Sequence, residues 1–306
     1  MNKLFNDYNN KLVFKLSQIG YALNSDIIFT SRLINNNYDY NHCYMYLLKE
    51  AKNGDKIFIT INDKTIDYNL IVEILRSRNI KLNFYIMGEP FIPKELIELF
   101  LPYSIHMFLN NNIYNHPQVH SMPIGIRDCG KVVCCHPTFF HDYLEIEKQK
   151  EVKKEYLCLL SFLVHDNIED RINCYNLLKN KNFVININND ITCNYQNMNI
   201  KCPEFYNYAH KSFYLLNPKG CGEDTHRFYE AIYLDCIPIV KRTNTTIDKL
   251  FNCFPCLIVD NWEDITEELL ENKKEECFDK LEKFKLKYPN WIRDLDSIEQ
   301  LLINNT

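Results

Sequence analysis

The chain has 306 residues, of which 46% are hydrophobic and 25% are charged, as is typical of a globular protein long enough for two domains. Its formal net charge of −5 gives no general attraction to nucleic acid or to an anionic membrane surface, so we expect neither as a partner. No apolar run approaches the length needed to cross a bilayer, and we expect no membrane span.

The cysteines indicate in which cellular compartment the protein is expected. The 13 cysteines are odd in number, and the first residues lack the apolar core of a signal peptide, so we expect free thiols and a cytoplasmic protein. Cys253 and Cys256 have CxxC spacing, but no second pair and no histidine follow at the spacing of a zinc site. Core thiols are therefore favoured over a metal or redox site.

Short apolar runs alternate with helical patterns through the first half of the chain. The predicted strands are Asp26–Thr30, Lys56–Ile61, Leu82–Met87, Ile105–Leu109 and Val119–Ile124. The predicted helices between them are Tyr44–Lys52, Ile66–Leu75 and Pro93–Leu101. A charged stretch without a buried run, Glu145–Glu155, indicates a solvated helix or a linker. We place the boundary between two domains, residues 1–150 and 151–306, near this stretch.

The same alternation restarts in the second half. The predicted strands are Tyr156–Phe162, Phe183–Ile187, Phe213–Leu216, Ile237–Val240 and Cys256–Val259. The predicted helices are Ile168–Leu178, Pro203–His210, Thr225–Leu234, a short helix through Leu250 and a helix near Ile265–Leu270 that Asp260 or Asn261 caps. Two or three helices are expected to finish the chain.

This pattern predicts an α/β fold in which helices cover parallel sheets. Two such domains in tandem, facing each other across a cleft, match the architecture of two Rossmann-like domains called GT-B. Ligands of such sheets bind beyond the carboxyl ends of the strands. The loops that follow the strands are therefore the places to look for a site.

Residues 217–240 are the most informative segment, because they read as a strand end, a glycine turn, a capped helix and a second buried strand. Gly220 and Gly222 allow a tight turn and the close approach of a ligand to the backbone. Asp224 or Thr225 can cap the helix, which leaves N–H groups and the positive end of the helix dipole facing the cleft.

Arg227 and Glu230 are three residues apart and so lie on one face of this helix. A guanidinium can bind a diphosphate bidentately, and a carboxylate one turn further along can accept both ribose hydroxyls. An isolated pair of this kind is more often a surface ion pair. Its position between a Gly-x-Gly turn and a buried strand instead favours a site for a nucleoside diphosphate.

The run from Pro218 to Ala231, followed by Asp235-Cys-Ile-Pro-Ile-Val, resembles the exostosin-like glycosyltransferases over roughly the last third of the chain. The resemblance implies that this segment is the donor site of a nucleotide-sugar-dependent transferase. To this site we assign Lys219, Gly220, Gly222, Asp224, Thr225, His226, Arg227 and Glu230. His226 either contacts the phosphate or sugar or caps the helix. Asp235 stands where the family usually has glycine, which predicts an altered end of the helix.

Two further segments resemble parts of these enzymes. Gly125, with the following Arg127 and Asp128, would lie at the cleft. Leu160-Ser161-Phe162 resembles the first strand and loop of a donor domain. Arg171, in the next helix, either reaches a phosphate or is a solvated helix arginine.

Catalysis in an inverting transferase needs a carboxylate or histidine that deprotonates the attacking hydroxyl, usually from the acceptor-side domain, here the first. Glu89 follows a predicted strand, although a carboxylate before proline is more often a turn residue. Asp128 is the second candidate base, and His106 and His120 compete with both. We expect no metal cofactor, because enzymes of this architecture offset the charge of the leaving diphosphate with basic side chains and helix dipoles.

The resulting prediction is a transferase that moves a sugar, with UDP as the expected nucleotide, to a hydroxyl of a glycan or glycosylated protein. One alternative is a fucosyltransferase-like enzyme that uses a GDP-sugar. Another is a catalytically silent GT-B module that only binds glycans or partners. A redox or zinc protein built on Cys253 and Cys256 is a third.

Overall fold

Ten short strands form two parallel sheets in the part of the chain that the structure describes. This computed structural model describes residues 18–29, 48–61, 66–88, 91–126, 150, 152–162, 164, 168–187 and 202–305. Each sheet has five strands, and all described pairings between these strands are parallel. The predicted α/β class with two Rossmann-like domains is confirmed.

The strands of the first sheet lie in chain order. They are β1 (Ile27–Phe29), β2 (Lys56–Thr60), β3 (Leu82–Met87), β4 (Ser104–Leu109) and β5 (Val119–Ser121). The helices in this half are α1 (Gln18–Leu23), α2 (Tyr68–Arg78) and α3 (Lys94–Phe100). The predicted strand Val119–Ile124 ends early, because the N–H of Ile124 turns away to bond the second domain at Asp224.

Local chemistry explains the bounds of α2. Asp67 accepts a hydrogen bond from the N–H of Leu70 at 3.1 Å and so caps the amino end. Asn79 ends the helix with a left-handed backbone, φ 51°, which asparagine tolerates better than most residues. The helix therefore runs three residues past the predicted end at Leu75.

The two faces of the first sheet pack against different parts of the molecule. On one face Ile57, Phe84 and Ile86 share a core with α2 and α3. On the other face Phe58, Tyr85 and Phe108 belong to the core that the second domain builds. Alternation of side chains along each strand produces this division. The two domains consequently share buried apolar surface.

The second sheet has the strand order β10-β9-β8-β6-β7. Its strands are β6 (Tyr156–Leu160), β7 (Val184–Asn186), β8 (Ser212–Leu216), β9 (Ile237–Lys241) and β10 (Leu257–Val259). The helices are α4 (Glu169–Leu178), α5 (Cys202–Lys211), α6 (His226–Tyr233), α7 (Ile247–Asn252), α8 (Glu267–Lys287) and α9 (Leu295–Asn304).

The predicted cap of the helix near Ile265–Leu270 is corrected by the structure. Asn261 caps a separate 3-10 turn, Trp262–Asp264, through reciprocal bonds with Asp264. The long helix α8 has its own cap, since Thr266 accepts a hydrogen bond from the N–H of Leu269 at 3.1 Å. A short turn therefore separates the last strand from α8.

Helix α9 reaches back to the first domain. The ammonium of Lys56, on β2, lies 3.0 Å from a carboxylate oxygen of Glu299 and 3.1 Å from one of Asp296. Ile298 and Leu302 are buried on the same helix. The boundary placed near residue 150 stays a prediction, since most of residues 127–151 lie outside the described part of the chain.

Candidate functional site

The order of the second sheet places a topological switch point between β6 and β8. From β6 the chain goes to β7 at one edge and then returns to β8 on the other side of β6. Loops that leave such a pair of strands diverge and open a crevice at their carboxyl ends, where ligands of doubly wound sheets bind. Here the two loops begin at Ser161 and Asn217.

The glycine turn in the second of these loops is closed by its own backbone. The N–H of Gly220 donates to the carbonyl of Gly222 at 2.9 Å. A Cβ at Gly222 would lie 2.2 Å from the Nδ2 of Asn111, a buried residue of the first domain. Residue 222 must therefore lack a side chain because Asn111 of the other domain approaches it closely.

Helix α4 braces the same loop. The Nε of Arg171 donates to the carbonyl of Lys219 at 2.8 Å, and Asp170 accepts from the N–H of Lys219 at 3.2 Å. The indole of Trp262 donates to the other oxygen of Asp170 at 2.8 Å. A Cβ at Gly220 would lie 3.0 Å from Nη2 of Arg171, so this guanidinium lies beside the turn.

Arg227 extends from the first turn of α6 to the end of β6. Its Nη1 donates to the carbonyl of Ser161 and, at 3.0 Å, to the hydroxyl of the same residue. The ring of Phe205 lies under the guanidinium carbon, 4.3 Å from the ring centroid. The guanidinium carries five N–H donors, of which Nη1 supplies only two. The guanidinium is therefore fixed at the switch point through Nη1, and its other nitrogens carry three further N–H donors.

Glu230 lies one turn further along α6 and is only 5% exposed. Within the part of the chain that the structure describes, no ion pair joins Glu230 to Arg227. A surface ion pair between these residues is thus not what the structure contains. Arg227 is half-buried and Glu230 is buried, and both follow the turn at the switch point.

The amino end of α6 departs from the predicted capping. Thr225 occupies the cap position, but its side chain caps no N–H of the helix. The Thr225 hydroxyl instead donates to the side-chain oxygen of Asn217 at 2.8 Å. The positive end of the helix dipole is consequently not covered by a capping side chain.

Asp224 is not the helix cap that the sequence allowed, because its carboxylate joins the two domains. Its Oδ2 accepts from the N–H of Ile124 at 2.7 Å and from the hydroxyl of Tyr229 at 2.9 Å. Its own N–H donates to Oδ1 of Asn111 at 2.9 Å. Burial raises the pKa of Asp224 to about 7, although the bonds from Ile124 and Tyr229 act in the opposite direction.

His226 makes a second contact between the domains. Its Nδ1 lies 2.8 Å from the carbonyl oxygen of Gly125, so Nδ1 carries the proton that is donated. Gly125 has a left-handed backbone, φ 68°, which suits glycine. The sequence allowed His226 either to contact the phosphate or sugar or to cap the helix. Its contact with the carbonyl of Gly125 is neither of these.

The candidate bases have different outcomes. Glu89 and Asp128 both lie outside the described residues, so their assignment stays a prediction. His106 Nδ1 lies 2.9 Å from His120 Nε2, and burial together with this neighbour lowers the pKa of His120 to about 4. The cavity that this pair lines includes neither Arg227 nor the glycine turn.

The two cysteines with CxxC spacing behave as core thiols. Cys253 donates to the carbonyl of Lys249 at 3.2 Å, and Cys256 donates to that of Phe251 at 3.3 Å. Burial raises the pKa of both thiols, that of Cys253 to about 12. Neither is therefore a reactive thiolate at neutral pH.

The sequence contains one Asp-x-Asp spacing, Asp294-Leu295-Asp296, which is a familiar metal-binding pattern. Asp294 accepts from the N–H of Ser297 at 3.2 Å and caps α9, while Asp296 pairs with Lys56. Both carboxylates thus have structural partners. Among the described residues no group of three potential metal ligands comes together.

Sequence reasoning missed Phe205 and Asn111 as members of the site, and it placed Ser161 in a donor-domain segment without assigning it a contact. Ser161 is a small polar residue at the end of a strand, which was the available signal. Phe205 fits the apolar face of its helix and gave no sign of a contact with Arg227. The contact of Asn111 with Asp224 joins residues 113 positions apart, which no local pattern reveals.

Comparisons with known proteins found only distant similarity, and only to solved structures. No protein-family model and no curated protein matches the sequence. A putative UDP-N-acetylglucosamine 2-epimerase from Listeria monocytogenes has a similar structure, with a TM-score of 0.38, 10% identity and coverage of 81% of this chain and 76% of that one. An α,α-trehalose-phosphate synthase (UDP-forming) from Burkholderia vietnamiensis has a TM-score of 0.37 and 9% identity, and the match covers 98% of this chain and 85% of that one. Likeness at these values carries no argument about function.

No helix among the described residues is both long and apolar enough to cross a membrane.

Proposed function

We propose that this chain is a glycosyltransferase that takes a sugar from a nucleoside diphosphate and transfers it to a hydroxyl of a glycan or glycosylated protein. The observation that carries the proposal is the position of Arg227. Its guanidinium is fixed by Ser161 and Phe205 at the switch point of the second sheet, beside the end of α6 that no side chain caps. A diphosphate placed there meets a cation and a helix dipole together.

Each residue of the site then has a chemical task. Arg227 neutralises the charge that develops on the departing diphosphate, which favours cleavage of the bond to the sugar. Glu230 accepts hydrogen bonds from the ribose hydroxyls. The glycine turn, braced by Arg171 through Lys219, shapes the wall of the crevice. Charge-assisted bonds of this kind contribute about 1.5–3 kcal/mol each.

The finer parts of the proposal come from the sequence. UDP is the expected nucleotide, the exostosin-like enzymes are the expected family, and the protein is expected in the cytoplasm. Glu89 or Asp128 is the expected base toward the acceptor, with no metal required. The alternatives are a fucosyltransferase-like enzyme that uses a GDP-sugar and a silent module that binds glycans only.

Nucleotide binding tests the proposal directly. UDP, GDP and CMP, and their sugars, are titrated against the wild type, Arg227→Ala and Arg76→Ala. Arg76 is a matched control, because it is an exposed arginine of the first domain, and its Nε donates to the hydroxyl of Tyr103 at 3.0 Å. We expect one nucleotide to bind the wild type and Arg76→Ala equally and to bind Arg227→Ala roughly 10- to 100-fold more weakly.

Three results would count against the proposal or its finer parts. Binding that survives Arg227→Ala undiminished would remove the assigned site. The absence of binding by any nucleotide sugar would support the silent module. Selective binding of GDP-sugars would support the fucosyltransferase-like alternative. A further titration compares UDP with 2′-deoxy-UDP on the wild type and on Glu230→Gln. Glu230→Gln should show a smaller preference for UDP over 2′-deoxy-UDP than the wild type does.

A further inference from the structure

A cavity lies beside β5, the edge strand of the first sheet, apart from the crevice at the switch point. Its volume is about 310 Å³. Residues of β4, β5, the loop between them, α7 and α9 line it. We call it the histidine cavity, and its polar lining residues include His106, Asn115, His116, His120, Ser121 and Thr246.

The histidine cavity is separate from the candidate donor site. Neither Arg227 nor any residue of the loop 217–225 lines it. His106 and His120 belong to one face of the first sheet, because the ring centroid of Phe108 lies 6.2 Å from that of His106 and 5.2 Å from that of His120. A ligand in this cavity would therefore leave the switch point open.

The lining of the histidine cavity favours a neutral ligand. Its described lining residues include no carboxylate, and their one lysine, Lys249, already interacts with another group of the chain. Burial and the neighbouring His106 lower the pKa of His120 to about 4, so His120 is neutral at neutral pH. An ion that entered this cavity would lose hydration without gaining a counter-charge.

The paired histidines suit a ligand that carries hydroxyl groups. Nδ1 of His106 lies 2.9 Å from Nε2 of His120, so one of these two nitrogens donates and the other accepts. In a neutral ring the second nitrogen of His106, Nε2, has the opposite role to Nδ1, and no hydrogen bond from a described residue reaches it. A change of tautomer makes this nitrogen a donor or an acceptor. A hydroxyl group fits either state, because it also both donates and accepts.

Other lining residues add neutral polar groups beside apolar surface. Nδ1 of His116 accepts from the N–H of Gln118 at 3.2 Å, which leaves the proton on Nε2 as a donor. Asn115 is exposed, and its amide supplies donors and an acceptor. The apolar part of the lining consists of Pro117, Val119 and Ile303. A sugar ring matches such a lining, because it presents hydroxyls at its edge and C–H groups on its faces.

We propose that the histidine cavity binds one neutral sugar unit, either a free sugar or the end of a glycan. A volume of about 310 Å³ lies at the small end of the range for ligand pockets, which suits a ligand of this size. The inference rests on the lining of the cavity and does not require that the chain be a transferase. In a transferase, this site would hold a glycan by a unit that does not react and so raise the local concentration of the unit that does.

Titration of sugars in the absence of any nucleotide tests the proposal, so its result is independent of the test of the donor site. Glucose, galactose and N-acetylglucosamine are titrated at about pH 8, where ordinary imidazoles are neutral. Binding is followed in NMR spectra of protein labelled at its histidines. We expect one sugar to bind with a Kd of roughly 1 mM. It should shift the ring signals of His106 and His116 but not those of His226, which does not line the cavity.

Two variants locate the binding site. His116→Phe keeps a ring of similar size but removes Nε2, and it should weaken sugar binding about tenfold, as for loss of one hydrogen bond. Asn115→Ala changes an exposed residue, so folding should be retained, and it should weaken binding about three- to tenfold. Asn272→Ala is the matched control, because Asn272 is an exposed asparagine of α8 outside the cavity, and it should leave binding unchanged.

Two comparisons test the neutral character and the source of the ligand. The 1-phosphate of the preferred sugar should bind no more tightly than the sugar itself, and added NaCl should not weaken binding of the sugar, because no charges pair. A disaccharide that ends in the preferred sugar should bind more tightly than the free sugar if the site receives the end of a glycan, and no more tightly if it receives a free sugar.

Four results overturn the proposal. They are tighter binding of the sugar phosphate, signal shifts confined to histidines outside the cavity, binding that His116→Phe and Asn115→Ala both leave intact, and the absence of binding by every sugar at concentrations up to about 50 mM.

Discussion

At the scale of single residues, Arg227 is fixed before any ligand arrives. Two acceptors on Ser161 and the ring of Phe205 hold the guanidinium in one place. A long side chain that is already ordered loses less conformational entropy when it binds, so more of each new bond appears as affinity. If the proposed donor site is right, Phe205 and Ser161 therefore matter for donor binding although neither is charged.

Asp224 is the residue at which pH should alter stability. Its pKa is about 7 in the folded protein and near 3.8 ordinarily, so between these values the folded chain keeps a proton that the unfolded chain releases. Stability from this group is therefore present at low pH and lost as pH rises toward 7. We expect Asp224→Asn, which stays neutral, to become progressively more stable than the wild type from about pH 4 to about pH 8.

Urea denaturation at several pH values measures this difference. Asn is nearly isosteric and keeps an oxygen that can accept from Ile124 and Tyr229, so the fold should be retained. A difference between the two proteins that does not change with pH would mean that the Asp224 carboxylate is ionised in the folded state.

At the scale of elements, the glycine turn and α6 form one unit that connects the domains. Asp224 and His226 each bond a backbone group of the first domain, at Ile124 and Gly125. Arg227, immediately after them, faces the switch point. Any shift of the turn therefore moves the guanidinium and the domain contact together.

Gly222→Ala tests this connection. The added Cβ would lie 2.2 Å from Nδ2 of Asn111, which is buried and has φ 48°, so it cannot move without disturbing the loop. We expect a loss of about 1–3 kcal/mol in the free energy of unfolding, as for other overpacked sites. The quantity is measured by urea denaturation.

Gly220→Ala is the control in the same turn. Its Cβ meets only the end of Arg171, at 3.0 Å, and a long side chain can yield. The expected change is within about 0.5 kcal/mol. Equal losses in both variants would show that the close approach of Asn111 is not what selects glycine at 222.

At the scale of the whole molecule, α9 ties the end of the chain to the first sheet. The side chain of Glu299 is 12% exposed and that of Lys56 is 25% exposed, so this ion pair is largely withdrawn from water. Removing one partner of such a pair leaves a poorly solvated charge. We expect Glu299→Ala to lower the free energy of unfolding by about 1–3 kcal/mol.

Glu276→Ala on α8 is the exposed counterpart. Its carboxylate bonds Lys273 and Lys280 at 2.7 Å each, but its side chain is 47% exposed. Its loss should change stability by less than about 1 kcal/mol. The double variant Lys56→Met, Glu299→Leu should recover most of the loss in denaturation experiments; failure to do so would indicate that Glu299 stabilises the fold other than through its ion pair with Lys56.

The sequence by itself determined the order of strands and helices and the existence of the unit that begins at Pro218. Both ends of strand Leu82–Met87 were predicted correctly, because its apolar run and the residues that bound it are local properties of the sequence. The prediction that Arg227 and Glu230 lie on one helix has the same basis, since helical spacing is local. Asp235 has the left-handed backbone, φ 57°, that glycine usually adopts at the end of a helix, so the altered helix end predicted at this position is wrong.

Only the tertiary structure decided what these residues touch. Asp224 and Thr225 both suit a helix cap by spacing, yet they bond Ile124 and Asn217. The partner of His226 is 101 positions away and that of Arg227 is 66 positions away. Periodicity reports which face of an element is buried but not which distant segment covers it. Contacts between the domains are therefore properties of the assembled chain.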